Sequence, residues 1–80
     1  MRLKKTDRGF YRADFIDRYG EECSIQESSL AGEHCIWLGQ NNGRHHHVTG
    51  ECLTRMHLTQ KMAKDLIPLL QKFVTTGKLK

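Results

Sequence analysis

Apolar and polar residues alternate through the first half of the chain. Tyr11, Ala13 and Phe15 are separated by Arg12 and Asp14, the period of two that marks a strand with one buried face. Asp17-Arg18-Tyr19-Gly20 then has turn chemistry, with Asp at the start and Gly at the end. Cys23-Ser24-Ile25-Gln26 alternates again and is expected to pair back on the first strand as a hairpin. After a polar connector over 28–33, Cys35-Ile36-Trp37-Leu38 is the most apolar short run and predicts a central strand ended by Gly39. The glycines and asparagines of 40–50 predict a long exposed loop, and 52–58 predicts the returning strand.

The period changes after Thr59. Ala63, Leu66, Ile67, Leu70, Phe73 and Val74 follow at three- and four-residue spacing, one apolar stripe along a helix. Thr59 suits its N-cap, because a hydroxyl there accepts a hydrogen bond from an orphan N–H of the first turn. Gly77 suits a left-handed C-terminal cap. Pro68 lies inside the stripe and removes one backbone hydrogen bond, so a bend is expected there. The expected fold is α+β: a three- to four-stranded antiparallel sheet with this C-terminal helix packed on one face. Tyr11, Ala13, Phe15, Ile25, Ile36 and Leu38 would line the covered face, and the other face would stay open.

Composition sharpens this picture. Eighty residues make one domain, which buries roughly 60% of its unfolded surface. That domain is expected over 9–80, behind a flexible basic arm at 1–8. Thirteen Lys and Arg against nine Asp and Glu give a net charge of +4, and much of the excess is terminal, in Arg2, Lys4, Lys5, Arg8, Lys72, Lys78 and Lys80. Three cysteines, Cys23, Cys35 and Cys52, cannot all pair within the chain. No apolar run reaches membrane-spanning length and the N-terminus has no signal-peptide core. The expectation is a cytoplasmic protein with reduced thiols and no membrane partner.

Metal and catalysis find little support. The cysteines, His34, the 45–47 histidine run and His57 resemble a zinc inventory, but they lack paired-ligand spacing. Cys35 with His57 has no orienting third group. Asp14 and Asp17 flank a hairpin and read as solvated turn charges, and no glycine-rich phosphate loop is present. No metal, cofactor or enzymatic activity is expected.

The open face is the better candidate. If Ile36 and Leu38 point inward, Trp37 points outward, together with Arg12, Asp14, Ser24, Gln26, Arg55 and His57. Trp and Arg are enriched among binding hot spots, although a small domain equally needs its one Trp for packing. A protein partner would be held by Arg12, Gln26, Trp37, Arg55 and His57. A nucleic acid would be held by Trp37 stacking on bases while Arg12, Arg44 and Arg55 met phosphate, against the many acidic residues spread through the same strands. Self-association into a dimer through the open face or an edge strand is a further option.

Several segments taken together are distinctive: Tyr19-Gly20-Glu21-Glu22-Cys23-Ser24-Ile25-Gln26-Glu27-Ser28-Ser29-Leu30-Ala31, Ile36-Trp37-Leu38-Gly39, Arg55-Met56-His57-Leu58-Thr59 and Leu69-Leu70-Gln71-Lys72-Phe73-Val74-Thr75-Thr76-Gly77. In this order the chain resembles a group of small bacteriophage and prophage proteins. The resemblance implies a shared surface of Gln26, Ser28, Ser29, Trp37, Arg55 and His57, and a variable loop at 40–50. It implies a context rather than an activity: stoichiometric binding to a host protein in the host cytoplasm, as inhibitors of host defence such as anti-CRISPR proteins do.

Overall fold

The turn expected between the first two alternating segments has a physical device holding it. Asp17 Oδ1 accepts hydrogen bonds from the Tyr19 and Glu21 amides at 2.8 and 3.0 Å. The Gly20 amide donates to the Asp17 carbonyl at 3.1 Å with Gly20 at φ 85°, a conformation that glycine adopts without penalty. A computed structural model describes residues 1–28, 32–42, 48 and 54–80. The elements are β1 (Leu3–Lys5), β2 (Tyr11–Ile16), β3 (Glu22–Glu27), β4 (Cys35–Gln40), β5 (Arg55–Thr59) and α1 (Gln60–Thr76).

The strands form one antiparallel sheet of five, in chain order β1-β2-β3-β4-β5. The α+β class is as expected, with one strand more than the sequence suggested. The extra one is β1, in the segment read as a loose arm, with Leu3 opposite Ala13 and Lys5 opposite Tyr11. Three residues are too few for alternation to reveal a strand. β4 also runs through Gly39 to Gln40 rather than stopping at the glycine. The returning strand is described from Arg55, and most of the expected loop at 40–50 lies outside the described residues.

Register sorts the side chains onto two faces. Ala13, Ile25, Leu38 and Met56 lie opposite one another across four strands, and Tyr11, Phe15, Cys23, Ile36 and Leu58 share their parity. The apolar face is therefore the one expected.

The helix does not cover it. Both caps are in place: Thr59 Oγ1 accepts from the Met62 amide at 3.2 Å, and the Gly77 amide donates to the Phe73 carbonyl with φ 75°. The helix continues through Pro68, yet none of its residues is buried. Ala63 and Leu66 are half-buried, and the stripe beyond them is open, with Ile67 62%, Leu70 57%, Phe73 55% and Val74 77% exposed. The expectation of a helix packed on one face is thus corrected. Thr59 both closes β5 and caps α1, so no connecting residues remain to turn the helix back over its own sheet. The radius of gyration is accordingly 14.0 Å, against about 12 Å for a compact chain of this length.

The N-cap gives a direct test. Thr59→Ala should lower stability by about 1 kcal/mol, read from the midpoint of chemical denaturation. An unchanged midpoint would mean that the first turn of α1 is frayed in solution.

Candidate functional site

The polar face is built from two cross-strand rows. Lys4, Arg12, Gln26, Trp37 and His57 lie opposite one another in the first. Asp14, Ser24, Gly39 and Arg55 form the second, on the same face. The period-two reading therefore brought Arg12, Gln26, Trp37, Arg55 and His57 together correctly. Arg44 and the 45–47 histidines lie outside the described residues, as does Ser29.

At the centre is an aromatic stack. The Trp37 and His57 rings lie parallel within 12°, with centroids 4.0 Å apart. The Arg55 guanidinium sits over the Trp37 ring at 5.4 Å, within range of a cation–π contact. His57 Nε2 forms a hydrogen bond of 2.8 Å with Ser28 Oγ, which fixes the ring in the stack.

Gln26 ties the two arginines together. Its Oε1 accepts from Arg55 Nη1 at 3.2 Å and from Arg12 Nη1 at 3.4 Å. Arg12 is also paired with Asp14, its Nη2 donating at 2.9 Å. Arg55 differs. Among the described residues no carboxylate pairs with it, and its buried Nε has no hydrogen-bond partner. An unmatched buried N–H on a cation leaves a donor unsatisfied, at a cost of about 1–3 kcal/mol.

Beneath the stack, Ser24 is fully buried and donates to Asn41 Oδ1 at 2.6 Å. Gly39 keeps the floor flat. It sits opposite Arg55 at φ 147°, and a Cβ there would meet the Thr54 carbonyl oxygen and lie 2.9 Å from Arg55 Cα. Alongside, a cleft of about 450 Å³ opens between the Thr6-Asp7-Arg8 turn and Arg12, Gln26, Trp37 and Arg55.

The other chemistry named in the sequence is differently placed. Cys23 and Cys35 are free and buried. Burial pushes both thiols up from their usual value; Asp17 and Glu21 add to this at Cys23, and Glu33 at Cys35. Neither thiol is therefore primed as a thiolate nucleophile. His57 is engaged with Ser28 and Trp37. Asp17 serves its turn and Asp14 its arginine. Among the described residues, no group of three or more His, Cys, Asp or Glu is placed to hold a metal ion. No described helix is long and apolar enough to cross a membrane.

Sequence reasoning missed two participants. Asn41 was assigned to a loop, but its amide N–H donates to the Glu22 carbonyl at 2.8 Å and brings its side chain to Ser24. Gly39 was read as a strand terminator, because its position opposite Arg55 depends on a pairing that residues 41–54 conceal. No family model, curated protein or solved structure matches the chain. The functional reading therefore stands on the geometry of this face together with the sequence resemblance.

Proposed function

We propose that the chain is a small phage-type binding protein that works by stoichiometric docking, without catalysis. Its polar sheet face seats an acidic surface of a host protein and thereby blocks that protein; a defence complex such as a CRISPR effector is the class of target the resemblance suggests. One observation carries this reading: Arg55 is half-buried, held against Trp37, and among the described residues no carboxylate pairs with it. A carboxylate brought by a partner would pair with the Nη groups of that guanidinium, the charge-assisted contact arginine favours. Trp37 and Arg12 flank the same position, as hot-spot side chains do at the centre of an interface.

A second reading, nucleic-acid binding by Arg12, Trp37 and Arg55, is favoured by the aromatic platform. Asp14 neutralising Arg12 and Glu27 lining the same cleft weigh against it.

The test is an affinity capture from bacterial lysate, with and without nuclease, using the wild type and Trp37→Ala. Trp37 is only half-buried and lies on the polar face, so its truncation should leave the far-ultraviolet circular dichroism spectrum intact. A discrete protein kept after nuclease and lost in the variant is the expected result. Loss of all bound material after nuclease, with affinity falling steeply as salt rises, would favour nucleic acid instead. If Trp37→Ala unfolds the chain, Trp37 is a packing residue and the proposal loses its anchor.

A further inference from the structure

Among the described residues two apolar surfaces are left partly or largely uncovered, and they suit each other. The first is the sheet face bearing Tyr11, Ile25, Ile36, Leu38 and Met56, of which Tyr11 is 48% and Met56 54% exposed while Ile25, Ile36 and Leu38 are half-buried. The second is the α1 stripe from Ile67 to Val74, beyond the half-buried Leu66. Only three apolar side chains among the described residues are buried, Ala13, Cys23 and Cys35. All three are small, so the isolated chain encloses very little core for a domain of this length.

We infer that the protein is a symmetric homodimer in which the α1 stripe of each copy packs on the apolar sheet face of the other. The occupant must be a second copy for two reasons. Each surface is the kind of partner the other lacks, helix stripe against sheet face, and one chain cannot unite them because β5 passes into α1 at Thr59 without a loop. A twofold axis unites both pairs at once, because the contact that copy one makes with copy two is repeated in reverse.

The area is also sufficient. Large apolar side chains contribute roughly 60–120 Å² each when covered. Four from each helix, Ile67, Leu70, Phe73 and Val74, and a matching area from each sheet give about 1,000–1,900 Å² in total, which overlaps the range of specific, stable interfaces. The same contact leaves the polar face with Trp37 and Arg55 on the outside of the dimer, so it is independent of the docking proposed for that face.

Sedimentation equilibrium of the wild type should give twice the 9.3 kDa chain mass down to micromolar concentration. Isotope-filtered nuclear Overhauser contacts in a mixed labelled and unlabelled sample should link Ile67 and Leu70 methyls of one copy to Ile36 and Leu38 methyls of the other. The double variant Ile67→Glu, Phe73→Glu should either fall to the single-chain mass or lose its fold, because the dimer supplies the core. A wild type that stays at the single-chain mass at every concentration would overturn the inference. So would a double variant that keeps the doubled mass, or cross-copy contacts running only from helix to helix.

Discussion

Arg55→Met should abolish partner binding while leaving the fold as stable as before, or more so. The two effects separate because Arg55 is poorly satisfied in the free protein. Its Nε is buried and unpartnered, so replacing it with an apolar chain of similar length removes an unpaired donor and keeps packing against Trp37. The lost Nη1 bond to Gln26 offsets part of that gain. Binding should weaken by about 30-fold or more, the scale of a central hot spot at 2 kcal/mol or above. Arg55→Lys should not restore it, since an ammonium is a point charge that cannot lie flat on an indole and present a fork of donors. Titration of the captured partner against wild type and both variants, beside denaturation midpoints, measures both quantities. Wild-type affinity in Arg55→Lys would show that net charge suffices. A large fall in stability in Arg55→Met would mean that the guanidinium is structural.

Gly39→Ala should be the most damaging small substitution on the polar face. At φ 147° an L-residue is confined to a region almost reserved for glycine, at a cost of about 1–3 kcal/mol. The added Cβ also meets the backbone of Thr54 and Arg55 rather than a side chain that could swing aside, and such overpacking costs about 1–3 kcal/mol more. The sum, about 2–6 kcal/mol, is a large part of what a domain of this kind has to lose. Denaturation midpoints measure it, and binding should fall as well, because the clash displaces the strand that carries Arg55 and His57. An unaltered midpoint would contradict the close β4–β5 pairing.

How much of this was legible beforehand follows from the range of each signal. Alternation is local, so the faces of β2, β3 and β4 could be read from single residues, and Trp37 was correctly set beside Arg12 and Gln26. Capping is also local, and both Thr59 and Gly77 read correctly. Helix packing is not local. The stripe in α1 shows that an apolar surface needs a cover, but periodicity is silent on which surface supplies it. Here the deciding fact is that Thr59 belongs to two elements at once, which a pattern of hydrophobicity does not display. The site failed for the same reason at Gly39 and Asn41: their roles depend on which residues stand across the sheet. Arg55 could be placed on the right face, but its unmatched donor is a property of its neighbours, not of its position in the chain.

The shared amide of Gln26 has a consequence for how the face would meet a ligand. Two guanidiniums converge on one neutral oxygen, at 3.2 and 3.4 Å, and Asp14 offsets the charge of only one of them, Arg12. An arriving anion would find both arms already oriented, so little rotamer freedom would be surrendered on contact. Selectivity follows from the same arrangement. On the docking proposed above, a cationic surface would meet the uncompensated charge of Arg55, an element that would work against the wrong partner.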